Sequence, residues 1–253
     1  MTTPEPNFGG TPIQFVQIGL GTNRTCIQNL YSKDVSTSCP EIEWLLSATT
    51  ERRPDHIKGL SVEPIMAHAE VMRSFVVDNP NMSVLQVAVG EYVTPSVEIW
   101  NLDPSTVPSI LESVSDDDRD TVASKLEYIL NMSCVCRTHP LIETQLPTLW
   151  LDYAVDLKLS QSVADLWTWS KLVSKCNFRS CEILLVDAEG YDTQILRSVV
   201  AHCRQNPNSW PGLIQFETMG HCDELEGYGA EWAVVETLES EGYQLVHFSH
   251  HSI

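Results

Sequence analysis

The chain is short of positive charge. Against 34 acidic residues it carries only 15 basic ones among 253, a formal net charge of -19, and such a surface repels phosphate backbones and anionic membranes at long range. Neither nucleic acid nor a membrane surface is therefore the expected partner, and Asp116-Asp117-Asp118 reads as a solvated loop or helix start. Long apolar runs are also missing: no segment approaches the roughly 20 apolar residues that cross a bilayer. Met1 to Gly10 lack the basic region followed by an apolar run that marks a secretory signal, so a cytoplasmic location is expected. There is no internal repeat and no low-complexity tract. Paired metal-binding cysteines are absent too, since Cys134-Val-Cys136-Arg-Thr-His139 has no second pair at zinc-ribbon spacing. The eight cysteines read as reduced thiols rather than a disulfide framework. Asn23-Arg-Thr25, Asn81-Met-Ser83 and Asn131-Met-Ser133 fit the glycosylation pattern, which is idle without secretion.

What the chain does have is 43% hydrophobic content, enough for a single α/β domain over residues 1–253. Ile13 to Ile18 run apolar into Gly19-Leu-Gly21-Thr-Asn23, a strand feeding a glycine loop, with a helix expected from Arg24 to Leu30. Residues 34–58 are polar, contain Pro40 and Pro54, and read as a lid or insertion. Gly59 to Val62 is a second strand ending at Glu63, and Ile65 to Val77 has helical periodicity with Pro64 at its first turn. Ser83 to Val89 reads as a third strand. Residues 92–179 read as an irregular insertion contributing to an acceptor pocket, with helices at Asp118 to Leu130 and Val163 to Ser174. Glu182 to Val186 is the fourth strand, followed by a helix from Asp192 to Ala201, and Leu213 to Glu217 is the fifth. A helix from Glu231 to Ser240 and a last strand from Tyr243 to Phe248 complete the pattern. Strands alternating with helices predict an α/β fold with a doubly wound, mostly parallel sheet and helices on both faces.

Polar groups gather at four strand ends: the Gly19/Gly21 loop, Glu63, the Asp187/Glu189 pair and Glu217. Open α/β sheets bind ligands at the carboxyl ends of their strands. A glycine loop lets a cofactor approach the backbone, and an acid after the second strand can accept both hydroxyls of a ribose. That arrangement serves any adenosine cofactor. A nicotinamide site favours Gly-x-Gly-x-x-Gly with an acid roughly 20 residues on, whereas here Arg24 takes the third position and Glu63 lies well beyond that distance. The competing role for Asp187, or for Asp192, is to cap the following helix. His221, four residues after Glu217, is a candidate general base because imidazole titrates near neutral pH; the alternative is an exposed loop histidine. Trp150, Trp167, Trp169 and Tyr153 read first as core and second as an acceptor pocket.

Taken together, Val16-Gln-Ile-Gly19-Leu-Gly21-Thr-Asn23, Ser61-Val-Glu63-Pro64, Gln86-Val-Ala88-Val-Gly90, Leu185-Val-Asp187-Ala-Glu189-Gly190 and Ile214-Gln-Phe-Glu217 resemble the FkbM-type family of S-adenosylmethionine-dependent methyltransferases. Glu241-Gly242-Tyr243 matches the family's helix-to-strand step. The resemblance spans most of the chain, and its most specific part is the fourth-strand motif followed by Ile195-Leu196. It departs from the family at Gln17, where many relatives carry an acid, and at Asn23, which replaces the last glycine of the loop but can still adopt a left-handed conformation.

The resemblance implies a class I methyltransferase (Rossmann-like) fold and in-line methyl transfer from S-adenosylmethionine to an oxygen of a small-molecule or glycan-type acceptor. The cofactor side it implies comprises Gln17, Gly19, Gly21, Asn23, Glu63, Val87, Ala88 and Asp187. The catalytic candidates are Asp187, Glu189, Glu217 and His221, with the enzyme supplying alignment and a base. A divalent ion bridging Asp187 and Glu217 through oxygen is chemically open, but nothing in the pattern selects it, and the expected site contains no metal. The rival readings are a non-catalytic scaffold or interaction module of the same fold, motivated by Gln17, and an NAD-dependent oxidoreductase, disfavoured by the loop spacing.

Overall fold

The computed structural model describes residues 5–19, 58–77, 81–131, 159–218 and 220–246. Strands β1 (Thr11–Gly19), β2 (Gly59–Val62), β3 (Met82–Leu85), β7 (Phe178–Asp187) and β8 (Leu213–Phe216) form one sheet in the order β3-β2-β1-β7-β8. Every neighbouring pair in it is parallel. Parallel strands covered on both faces need continuous apolar runs, and Ile183 to Val186 in β7 and Phe15, Val16 and Ile18 in β1 are all buried.

Helices cover both faces. On one, α1 (Met66–Val76) lays Ala69, Met72 and Val76 over Phe15, Ile183 and Leu185, the i, i+3, i+7 stripe of an amphipathic helix. On the other, α4 (Trp169–Cys176), α5 (Asp192–Gln205) and α7 (Ala230–Ser240) bring Leu172, Ile195, Leu196, Val199, Val234 and Leu238 against Val16, Ile18, Leu184 and Val186. The architecture is the expected doubly wound, Rossmann-like α/β fold. The chain builds outward from β1 to β3, then returns to lay β7 on the opposite side of β1, which makes the β1/β7 junction the topological switch point where such sheets open a crevice.

Several expected elements are corrected. The third strand does not run unbroken from Ser83 to Val89. β3 ends at Leu85, whose carbonyl accepts the Glu63 amide; the next amide on that edge, that of Ile65, donates to the Glu63 carboxylate instead of continuing the ladder. Gln86 and Val87 then carry the chain into β4 (Ala88–Val89) of a second sheet, ordered β4-β6-β5.

The segment from Val163 to Ser174 is not one helix. Its first part belongs to β6 (Leu159–Trp167), in which Ala164 and Leu166 are buried while Val163 and Asp165 are exposed, a period of two that pairing with β5 (Thr94–Leu102) exploits. The helix begins only at Trp169, after Thr168 caps it by accepting the Lys171 amide.

Residues 92–179 are thus largely ordered where described: β5, α2 (Val107–Ser113), α3 (Arg119–Asn131), β6 and α4 fall within them. Tyr243 to Val246 form no strand; the Tyr243 hydroxyl donates to the Pro211 carbonyl and its ring meets Trp210 edge to face. Trp167 and Trp169 are core residues, 5% and 0% exposed. The expected helix at Arg24 to Leu30, the lid up to Ile57, the Cys134/Cys136/His139 cluster, Trp150 and Tyr153 lie outside the described residues. Cys176, Cys181, Cys203 and Cys222 are free and buried, and burial pushes the Cys176 and Cys222 thiols up to about 12. Among the described residues no helix is long and apolar enough to cross a membrane.

At the last step of the β1/β7 pairing stands Gly19, opposite Asp187 and at φ +83. A Cβ there would lie 1.6 Å from the Asp187 carbonyl oxygen. Gly242, at φ +100 after α7, has open space around it. Alanine at either position carries the left-handed backbone cost of about 1–2 kcal/mol, and only Gly19→Ala adds a backbone collision. In urea unfolding, Gly242→Ala should lose about that amount and Gly19→Ala clearly more; equal losses would remove the close approach as a constraint.

Candidate functional site

Beyond Asp187 the chain leaves the sheet through a tight turn. Glu189 takes φ +48 and Gly190 φ +93, and the Tyr191 amide donates back to the Ala188 carbonyl. A left-handed glutamate costs about 1–2 kcal/mol, so the turn must be held from outside. Asp192 holds it: its carboxylate, 1% exposed, accepts the Ala188 amide at 3.3 and 3.4 Å. Neither aspartate caps the helix, whose N-cap is Tyr191 with no side-chain cap hydrogen bond; Asp192 braces the turn before it, and Asp187 is left at the strand end beside Gly19.

One strand over, Glu217 follows β8, and His221 opens α6 (His221–Glu226). That corner is braced by Glu231, whose carboxylate accepts the Gly220 amide at 2.9 and 3.1 Å and the Cys222 amide at 3.1 Å. Asp223 in turn accepts the amides of Gly229 and Glu231. The result is a buried His221, 8% exposed, rather than an exposed loop histidine. Its Nδ1 lies 3.6 Å from Glu189 Oε2 and 3.6 Å from Glu217 Oε2. Glu189 Oε2 is shut off from solvent and has no hydrogen-bond partner.

On the other side of the switch point, Glu63 is 1% exposed. One oxygen accepts the Ile65 amide at 2.9 Å, and His68 Nδ1 stands 3.7 Å away. Gln17 is fully buried; its Nε2 donates to the Gly19 carbonyl at 3.3 Å, while Oε1 has no partner. Val87 and Ala88 are buried in the apolar cluster where β3 gives way to β4. Gly21 and Asn23 lie outside the described residues. The fold therefore gathers Asp187, Glu189, Glu217 and His221 into one cluster, with Glu63 within electrostatic reach of Asp187.

Burial first and mutual repulsion second raise the proton affinity of the carboxylates in this crevice. Burial, then the charges of Glu217 and Glu63, raise Asp187 to about 7 against the partial relief of His221. Burial with Asp187, Glu217 and Asp192 raises Glu189 to about 9. Asp192 rises to about 8 through burial, Asp187 and Glu217, offset by the Ala188 amide. For His221, burial acts to lower its affinity for a proton, but Glu217, Glu224 and Glu231 outweigh it and the net shift is upward. Such a site accepts protons near neutral pH and favours any cation that enters it.

Sequence reasoning missed the braces. Glu231 was legible only as the start of a helix, and its grip on Gly220 and Cys222 is a tertiary contact with no local signature. Arg197 was likewise read only as part of a helix, yet it bridges Glu91 at 3.0 Å and Glu226 at 2.8 Å, tying the segment after β4 to α5 and α6.

The raised carboxylates give stability a pH dependence. Between their ordinary values near 4 and their folded values of about 7 to 9, the native state binds protons that the unfolded chain has released, so stability falls as pH rises. In the presence of a chelator, Tm should drop from pH 5 to pH 9. Asp192→Asn, which keeps the acceptor for Ala188, should flatten that drop, whereas Asp117→Asn on the surface should not. An Asp192→Asn profile parallel to the unchanged protein's would contradict the assignment.

No protein-family model matches the chain, and comparison with curated protein sequences found no match.

Proposed function

We propose that the protein transfers a methyl group from S-adenosylmethionine to an oxygen of a small-molecule or glycan-type acceptor, in the cytoplasm. The observation that carries this reading is the convergence of Gly19, Glu63 and Asp187 at the switch point between β1 and β7, where an open parallel sheet receives a nucleotide-like ligand. The donor groups suit the cofactor. A buried cluster of carboxylates favours the sulfonium and ammonium charges, and the unpartnered Gln17 Oε1 is an acceptor that an amino group would satisfy. Glu63 keeps a second carboxylate oxygen for a ribose hydroxyl while its first holds Ile65. Gly21, Asn23, Val87 and Ala88 complete the cofactor side by resemblance to the FkbM-type motifs.

Bound there, S-adenosylmethionine would supply a methyl group already activated by the sulfonium charge. The protein's own part is alignment and proton removal. Asp187, raised to about 7, matches the working pH of a general base and would take the acceptor hydroxyl's proton. His221 stands between Glu189 and Glu217, where Glu217 raises its proton affinity, and is less suited than Asp187 to be the base.

The test is calorimetric titration of the full chain with S-adenosylhomocysteine, followed by assay with labelled cofactor on a panel of hydroxylated acceptors. One site per chain is expected, with thermal stabilisation of about 2.7 kcal/mol at 100 times the dissociation constant. Glu63→Gln should weaken binding at least tenfold, and Asp187→Asn should abolish turnover while binding persists. Absence of binding at millimolar ligand, or tight NAD(H) binding instead, would overturn the reading. Cofactor binding without turnover on any acceptor would favour a non-catalytic module.

A further inference from the structure

We propose that Glu189, Glu217 and His221 form a binding site for one divalent first-row transition cation of the zinc or manganese kind. The inference does not rest on methyl transfer, because the ion's site is defined by its ligands alone.

Geometry comes first. One donor atom from each of the three residues lies within 4.8 Å of the other two, and His221 Nδ1 stands equidistant, at 3.6 Å, from Glu189 Oε2 and Glu217 Oε2. Those separations are close to the spacing of donors around a single ion: ligands held about 2.0–2.1 Å from a tetrahedral centre sit about 3.4 Å apart. Small side-chain rotations would close the set.

A second observation points the same way. Glu189 Oε2 is sealed from solvent with no hydrogen-bond partner, and the backbone that aims it there is left-handed. A buried acceptor left unpaired at the end of a strained turn calls for an explanation, and a cation coordinated by that oxygen supplies one.

The surroundings are those of a prepared ligand set. Asp192 fixes the turn bearing Glu189 through the Ala188 amide, and Glu231 fixes the corner bearing His221 through Gly220 and Cys222; such outer contacts orient metal ligands and tune their affinity. Donor type selects the ion. An imidazole with two carboxylates suits zinc, manganese, iron or cobalt, whereas magnesium and calcium prefer oxygen alone. Three protein ligands leave a fourth position open for water or for an oxygen of an acceptor.

The experiment strips the full chain with chelator, then titrates it with Zn2+ and Mn2+ by calorimetry and measures bound metal after desalting, with Mg2+ for comparison. One ion per chain is expected, with a rise in Tm and Mg2+ binding weaker by a factor of a hundred or more. Glu217→Gln, at the more exposed ligand, and His221→Ala should each weaken zinc binding at least tenfold; if His221→Ala does not fold, Glu217→Gln decides alone. Co2+ in place of zinc should give a visible absorption band that Glu217→Gln alters. A stripped chain that takes up neither Zn2+ nor Mn2+ would overturn the proposal, as would one-to-one binding left intact by Glu217→Gln, because the ion would then reside elsewhere. Titrating S-adenosylhomocysteine into the stripped chain separates the two readings: cofactor binding without metal uptake refutes only the cation site, and metal uptake without cofactor binding refutes only the methyltransferase.

Discussion

The structure depends on how closely β1 and β7 come together. Thr11 to Gly19 pairs with Phe178 to Asp187 along nearly its whole length, and at the last step a glycine carbon passes where a Cβ would meet the Asp187 carbonyl. This seam joins the two halves of the sheet, so the helices of both faces rest on it. It also sets Asp187 beside Gly19 and within reach of the charge of Glu63. A side chain at Gly19 would push apart the centre of the core and the floor of the crevice at once.

On that floor the protein concentrates what a core normally excludes. Burial, reinforced by the charges these groups exert on one another, raises the proton affinity of Asp187, Glu189 and Asp192, and His221 lies between Glu189 and Glu217. Stability is given up here: like charges are brought together, and a glutamate adopts a left-handed backbone. The braces that hold the arrangement are themselves carboxylates used differently. Asp192 and Glu231 spend their oxygens on backbone amides, which leaves Glu189 and Glu217 to face His221. A sulfonium, an ammonium or a metal ion would relieve the same excess of negative charge, so the cofactor and the proposed cation are compatible answers to one electrostatic demand.

Legibility in the sequence varied with how local the governing physics is. The continuous aliphatic run Ile183 to Val186 announced β7, because burial on both faces is written residue by residue, and shorter apolar stretches marked β1, β2 and β8. The acids at strand ends were equally plain. Where two neighbouring segments competed for one pattern, reading failed. Ser83 to Val89 was unbroken as a string but divides at Gln86, because the Ile65 amide that would continue the ladder donates to the Glu63 carboxylate. Val163 to Ser174 carried a helix-like spacing, but Ala164 and Leu166 were recruited into a sheet by β5.

Fold class and the residues from which a site is built were readable along the chain, because apolar periodicity and polar strand ends are properties of short segments. Their roles came from long-range packing. It turned Asp192 into a brace and left Asp187 at the crevice. It buried His221, which the string could equally have left in a loop. It brought Glu189 and Glu217 from separate strands to equal distances from one imidazole nitrogen. Those outcomes depend on which strands lie side by side and on long-range contacts such as Glu231 with Gly220, and no spacing along the chain encodes them.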